Sequence, residues 1–434
     1  MGSGVGDRTA GTGRCQDWDP GQRVGPGERL VLTVVGIDGG PLPPGAVEAL
    51  AGAEVVTGAA RYLHLAPATA ERVEMGPVDP ALDRLGGRRG VVLASGDPGF
   101  FGIVRLLRAR GLAPVVLPAC SAVQRAFARI GRPWDDVAVV SAHGRALGPA
   151  VNVCRARAAV AVLTAPGAGP AEIGAALHGW ERTLVVAEDL DGPDERVTTV
   201  TPGQAAARTW RDPNVVLCLR DPHAVPDAGW IAGGDPRPGG RRPSAGPGPG
   251  PDGAGSAGWA LPESAFEHRA GMITKAEVRA LALARLAPAP GRLIWDVGSG
   301  SGSVAVECAR LGAAVIAVER RTDDVGRIRA NAEAHGVDVR VVEGEAPAVL
   351  AGLPHPDAVF VGGGGPEVVE AVAGAPCVVV ALAALDRIAP TRHALRAHRV
   401  EGVQLAASRL ADLPDGTVRL AATNPIVLLW GETT

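Results

Sequence analysis

Lysine is almost missing from this chain of 434 residues: Lys275 stands alone, and the other basic residues are arginines. Aromatic residues are scarce too, 3% of the total, with a single tyrosine. A surface that holds nucleic acid by charge and base stacking needs basic runs interleaved with aromatic rings. The chain has no such run and a net charge of only −3, so no nucleic-acid partner is expected. No apolar stretch approaches the ~20 residues of a membrane span, which excludes a membrane partner of the helical kind. The first thirty residues, rich in Gly, Arg and Asp, lack the apolar core of a signal peptide. The six cysteines (Cys15, Cys120, Cys154, Cys218, Cys308, Cys377) are scattered, never in a C-x-x-C pair. That spacing argues against a disulfide framework and against a zinc site, so no metal is expected. Together these absences point to a cytoplasmic protein.

Apolar residues, by contrast, are plentiful at 46%, enough for two or three cored domains at the usual ~150 residues each. Punctuation is clear. Residues 221–258 hold Pro-Arg-Pro-Gly-Gly-Arg-Arg-Pro and then Gly-Pro repeats, which reads as an extended linker, and residues 1–28 read as a floppy extension. The folded parts are then 29–220 and 259–434.

In the second part, Leu293-Ile-Trp-Asp-Val-Gly-Ser-Gly-Ser-Gly302 reads as a buried strand running into a glycine-rich turn that opens a helix over 304–311. Backbone amides at such a helix start face a ligand. A dinucleotide fingerprint counted from Gly298 needs a third glycine at position 303, which is Ser303. The pattern is D-x-G-x-G-x-G instead, starting at Asp296. A second strand, 313–318, closes on Glu319, an acid suited to a ribose diol. A third, 339–342, ends at Glu343-Gly-Glu-Ala346, a turn placed to lie against an adenine ring. The three loops suit an adenosine without phosphates.

The first part alternates strands and helices. A strand over 30–35 runs into Gly36-Ile-Asp-Gly-Gly40, and another over 90–94 runs into Ser95-Gly-Asp-Pro-Gly-Phe-Phe-Gly102, which opens a helix. Further strands are expected at 115–117, 137–140, 158–163, 183–187 and 214–219, with helices at 122–129 and 170–178.

The D-x-G-x-G-x-G loop with Glu319 resembles class I S-adenosylmethionine-dependent methyltransferases. Ser95 to Gly102, with Ala119-Cys-Ser-Ala-Val-Gln-Arg-Ala-Phe-Ala-Arg-Ile-Gly131 and Ser141-Ala-His-Gly-Arg145, resembles the tetrapyrrole methylase family in its precorrin C5-methylating branch. The lead-in segments Leu261 to His268 and Gly271 to Arg279, and Asn424-Pro-Ile-Val427, resemble the precorrin C15-methylating, decarboxylating family. These resemblances imply an α/β chain: a two-lobed tetrapyrrole methylase fold followed by a Rossmann-like class I fold. They imply two S-adenosylmethionine sites, one per module, and a reduced tetrapyrrole substrate of the precorrin-6Y type. Methylation at C5 and C15 with loss of the C12 acetate carboxyl would yield precorrin-8 in cobalamin synthesis. A homo-oligomer through the C-terminal module is also implied.

Carried over by position, the family's C-terminal cofactor contacts fall on Thr274, on Gly298, Ser299, Gly300, Ser301 and Gly302, on Glu319 and on Ala346, with Asp296 and Glu345 beside them. In the N-terminal module they fall on Gly36, on Ser95, Gly96 and Asp97, and on Ser121. There the chain departs from the family, with Asp38 where Gly is common and Ala119-Cys120 in place of Pro-Ser or Pro-Gly. His143 and Arg145 are candidates for substrate carboxylates, and Gly363 and Gly364, in the run Gly362 to Gly365, for close approach of a macrocycle. No catalytic side chain is named, because in-line methyl transfer needs positioning more than acid or base. Two other readings stay open: a class I methyltransferase for another substrate with a degenerate N-terminal domain, and a non-catalytic S-adenosylmethionine-binding protein.

Overall fold

The computed structural model describes residues 32–76, 78–85, 87–225, 258–269 and 271–433. The expected extension at 1–28 and all of the expected linker but its ends lie outside the described residues. The described residues form two compact units, one within 32–37 and 42–119, the other within 38–41 and from 120 onward.

In the first unit, β1 (Thr33–Ile37), α1 (Ala46–Ala51), β2 (Val55–Gly58), β3 (Glu71–Glu74), α2 (Val78–Asp83), β4 (Gly90–Ser95), α3 (Ile103–Ala109) and β5 (Val115–Leu117) follow one another. The strands form a parallel sheet in the order β3-β2-β4-β1-β5. Both faces are covered, with Val35, Ile37, Val56, Val91 and Leu93 in one core and Val34, Val55 and Val92 in the other. That is why the sequence here reads as unbroken apolar runs rather than alternation.

The second unit opens with α4 (Ala122–Ile130), β6 (Ala138–Ser141), α5 (Leu147–Ala156), β7 (Ala159–Leu163), α6 (Pro170–Ala176), β8 (Thr183–Glu188), β9 (Arg196–Val200), α7 (Pro202–Ala206) and β10 (Asn214–Leu219). Their sheet runs β6-β7-β10-β8-β9, antiparallel except for β6 beside β7. Next come α8 (Ala276–Leu286), β11 (Leu293–Val297), α9 (Ser303–Arg310), β12 (Ala314–Glu319), α10 (Thr322–Ala334), β13 (Arg340–Glu343), β14 (Ala358–Val361), α11 (Pro366–Val372), β15 (Cys377–Leu382), α12 (Ile388–Ala394), β16 (Arg399–Leu405), β17 (Ser408–Asp412), β18 (Val418–Ala422) and β19 (Ile426–Glu432). A seven-stranded sheet results, β13-β12-β11-β14-β15-β19-β16, with β19 antiparallel to its neighbours. β17 and β18 form a separate hairpin.

Residues alternate across this sheet: Leu293, Trp295, Val297, Ile316, Val318, Val359 and Val361 face one core, while Ile294, Val315, Ala317 and Phe360 face the core under α8 and α9. The first of these cores also contains Val151, Cys154 and Trp180, because α5 lies against β12. The connection from β13 to β14 carries only a 3-10 turn, Leu350–Gly352, so α5 occupies sheet surface that this connection leaves open. Asn152 Nδ2 donates to the Gly291 carbonyl (3.0 Å), and Arg182 and Arg220 both pair with Asp338. Helix α5 was not expected from the sequence. Gly148 and Pro149 in its first turn look like breakers, and Ala150 to Arg155 are all buried, so no polar face marks a helical period.

Candidate functional sites

Asp296, the penultimate residue of β11, has a buried side chain that points to the α9 side. Its Oδ2 accepts from Ser299 Oγ (2.6 Å) and from the amide of Ala305 (3.0 Å), while Oδ1 is buried without a partner among the described residues. Burial, opposed by those two hydrogen bonds but aided by the nearby charge of Glu319, pushes its pKa up to about 6. Beyond it, Gly298, Gly300 and Gly302 adopt φ of +70°, +57° and +76°, the left-handed region that glycine enters without strain. A Cβ on Gly298 would sit 2.8 Å from the amide nitrogen of Gly363.

Glu319 closes the loop from the end of β12. Its Oε2 accepts from the Gly300 amide (2.9 Å), and Oε1 accepts from the amides of Arg320 and Arg321 (3.0 Å each). Glu345 is exposed and pairs with Arg320 at 3.1 Å, and Ala346 is half-buried against the core. The Ser301 carbonyl accepts from Asn331 Nδ2 (2.8 Å), and Asn331 also exchanges two hydrogen bonds with the backbone of Glu267. Thr274 lies on the lead-in segment, its carbonyl accepting from Arg279 Nη1 (2.6 Å). Arg279 is fully buried and paired with Glu307 at 2.8 Å, and Glu307 accepts from the amides of Ala260 and Leu261. Asn331, Arg279 and Glu307 were missed from the sequence; only Arg279, the last residue of the Gly271 to Arg279 motif, offered a signal.

Gly363 and Gly364 stand beyond β14, and the amide of their neighbour Gly362 donates to Val297 (2.9 Å), which ties this run to the end of β11. Gly364, at φ +110°, has no room for a Cβ beside Val368.

In the first unit Gly36 lies at the carboxyl end of β1, where a Cβ would meet Gly96 O at 2.5 Å and Ala119 N at 2.7 Å. The ends of β1, β4 and β5 therefore converge closely at Gly36, with no room for a side chain there. Ser95 Oγ accepts from Arg61 Nη2 (2.8 Å) and shares a hydrogen bond with the hydroxyl of Tyr62 (3.0 Å). Asp97 Oδ1 accepts from the Gly99 amide (2.8 Å).

In the second unit Ser121 caps α4 in a reciprocal box with Gln124. Asp38, the departure from the family pattern, accepts from the Cys120 amide (3.0 Å) and pairs with Arg125 (2.7 Å), which also pairs with Asp191. Burial alone would raise the Asp38 pKa; Arg125 and the Cys120 and Gly40 amides outweigh it and hold the carboxyl below its ordinary value. His143 and Arg145 both lie exposed on the turn between β6 and α5.

A glycine loop between strand and helix, closed by an acid from the next strand, and a second glycine junction on an unrelated parallel sheet define a methyltransferase with two modules of different fold. Family comparison agrees: residues 31–206 match the model for Tetrapyrrole (Corrin/Porphyrin) Methylases, and residues 264–400 match that for a Precorrin methyltransferase domain. A Sinorhizobium protein, Precorrin-6Y C(5,15)-methyltransferase [decarboxylating], is 40% identical over 357 residues, covering 77% of this chain and 78% of its own. The chain belongs to that family, whose methyl donor is S-adenosylmethionine.

Shorter relatives match parts of it. The Cobalt-precorrin-7 C(5)-methyltransferase of Salmonella typhimurium is 35% identical over 182 residues, 38% of this chain and 89% of the relative. The crystal structure of the C-terminal domain of precorrin-6Y C5,15-methyltransferase from Rhodobacter capsulatus is 36% identical and covers 40% of this chain and 97% of its own, with a TM-score of 0.37.

Proposed function

We propose that this enzyme methylates a precorrin-6Y-type tetrapyrrole at C5 and C15 and removes the carboxyl of its C12 acetate arm, giving precorrin-8. In this reading residues 29–220 form the C5 module, 221–258 the linker and 259–434 the C15 module, each module with its own S-adenosylmethionine site. The observation that carries it is the pair of cradles, Gly298 to Gly302 closed by Glu319, and Gly36 against Gly96 and Ala119.

The residues fit the cofactor. S-adenosylmethionine supplies an electrophilic methyl on a cationic sulfonium. Asp296 offers a buried carboxylate oxygen with no partner among the described residues, suited to a cation. Glu319 keeps acceptor capacity for a ribose diol beyond its three amides, since a carboxylate has about four lone-pair sites. Asn331 fixes Ser301 of the loop and Glu267 of the lead-in segment together. The protein's task is orientation: placing a nucleophilic ring carbon in line with the methyl group.

The substrate is a small molecule rather than nucleic acid, as the scarcity of aromatics suggests. Among the described residues no helix is long and apolar enough to cross a membrane, in keeping with a place in the cytoplasm. Association through the C-terminal module is supported by the β17–β18 hairpin, whose paired Leu410 and Leu420 are 78% and 67% exposed.

The test is mass spectrometry of the product from reduced precorrin-6 and methyl-labelled S-adenosylmethionine, with carbon dioxide measured in parallel. Two labels and one carbon dioxide are expected. Gly298→Ala should abolish the C15 label and the carbon dioxide, and Gly36→Ala the C5 label alone. One label with carbon dioxide from the unaltered chain would favour a degenerate N-terminal module, and no label would end the reading.

A further inference from the structure

Beside the Gly362 to Gly365 run lies a cavity of about 320 Å³ over the carboxyl ends of β14 and β15. Val361, Val369, Val380 and Leu382, each almost fully buried, give it one apolar side, while Thr391 and the backbone of the Gly362 to Gly365 run also line it. Among the described residues Arg387 is the only charged one that lines it. Arg387 Nη1 donates to the Gly364 carbonyl (2.6 Å), and its other nitrogens have no partner among the described residues. The cavity also adjoins the donor loop, since Gly298 abuts Gly363 and Gly362 is bonded to Val297. The volume admits one pyrroline ring with its arms, not a whole macrocycle.

We infer that this cavity takes the ring that bears the departing acetate, with that carboxylate against the valine and leucine wall and Arg387 holding a neighbouring carboxylate that the product retains. The inference rests on reading the C-terminal module as the C15-methylating, decarboxylating one.

The electronics decide which carboxylate goes where. In decarboxylation the bond between the acetate methylene and its carboxyl carbon breaks, carbon dioxide leaves, and the electron pair enters the conjugated imine system of the methylated ring. The exocyclic methylene so formed takes a proton from water and becomes a methyl group. Charge localised on the carboxylate therefore spreads over the ring. The valine and leucine side chains, which carry no donors, leave the localised charge poorly solvated and affect the delocalised one little, which favours the step. A guanidinium on the departing group would do the opposite, by stabilising the reactant. Arg387 thus belongs on a carboxylate that stays, where its free nitrogens anchor the ring edge.

The experiment is steady-state kinetics on the full-length chain, with the same reduced tetrapyrrole and labelled donor, reading C15 label and carbon dioxide separately. Arg387→Gln should raise the tetrapyrrole KM about 10- to 100-fold, the loss of a charged hydrogen bond, with one carbon dioxide still released per C15 label and donor affinity unchanged by calorimetry. Arg387→Lys should restore part of the affinity. Val380→Thr, which places a hydroxyl on the wall at nearly equal volume, should let carbon dioxide fall below one per label. Ala383→Asn, at an exposed lining position, gives the same readout if the threonine variant folds poorly. An unchanged KM in Arg387→Gln, or a fall in its carbon dioxide per label, would overturn the assignment, as would a ratio of one in both wall variants. Those outcomes presuppose an unaltered chain that makes both products; if it makes neither, the C15 reading itself fails.

Discussion

Arg182, at the start of β8, and Asp338, just ahead of β13, form an ion pair of 2.5 Å with the guanidinium almost fully buried, so that the β6–β10 sheet is joined to the class I sheet by charge as well as by α5. Arg182 also donates to the carbonyls of Cys154, Glu181 and Arg155. Its neighbour Arg155 is brought down to about 10 by burial, with the charge of Arg340 adding to the effect.

Replacing Arg182 by Met should therefore destabilise the chain by about 3 kcal/mol, in the range for breaking a buried pair. Asp338→Asn should cost less, because the three carbonyl acceptors of Arg182 remain. Urea unfolding of both variants measures the difference, and equal losses would show that the packing of α5 alone carries the junction.

Glu319→Gln keeps the volume at the end of β12 but removes the charge that holds three backbone amides. Affinity for S-adenosylmethionine at the C-terminal site should fall about 10- to 100-fold, the size of one to two charged hydrogen bonds. Titration calorimetry should show two sites in the unaltered chain and one of them weakened in the variant; uniform weakening of both would contradict separate sites.

The pKa of Asp296, raised from 3.8 to about 6, sets a pH dependence. An acid whose folded pKa lies above its unfolded value favours the folded state while protonated, and that contribution is lost as pH rises from 3.8 through 6. At about 1.4 kcal/mol per pK unit, the ligand-free protein should lose about 3 kcal/mol across this window. A cation beside the unpartnered oxygen reverses the preference, so donor affinity should strengthen as pH rises through 6. Asp296→Asn should flatten both profiles, and a donor affinity independent of pH in the unaltered chain would exclude this role.

Leu410→Asp with Leu420→Asp on the exposed hairpin should reduce the association state seen by light scattering after gel filtration, with no loss of secondary structure. A chain that is monomeric before substitution would rule out this surface as the contact.

Much of the fold was legible wherever a run was apolar on both faces and bounded by turns. The strands expected at 115–117 and 214–219 match β5 and β10 residue for residue. β3 was missed because Glu71-Arg-Val-Glu74 is a charged edge strand with one valine. The loops that build the sites were visible as local patterns, since glycines at left-handed φ and an acid at a strand end are consequences of backbone geometry. Arg387 and Asn331 were not, because single polar residues on a helix or short turn carry no period.

The sequence by itself determined the alternation of strands and helices, the glycine turns and the acids at their edges, because each follows from interactions within a few residues. Only the tertiary structure decided that Asp38 is balanced by Arg125 and the Cys120 amide, that α5 covers the sheet beside β12, and that Arg387 stands over a cavity with a valine and leucine side. Those outcomes depend on residues dozens to hundreds of positions apart meeting where water is excluded, and there the surroundings of a side chain, rather than its identity, set its charge and its role.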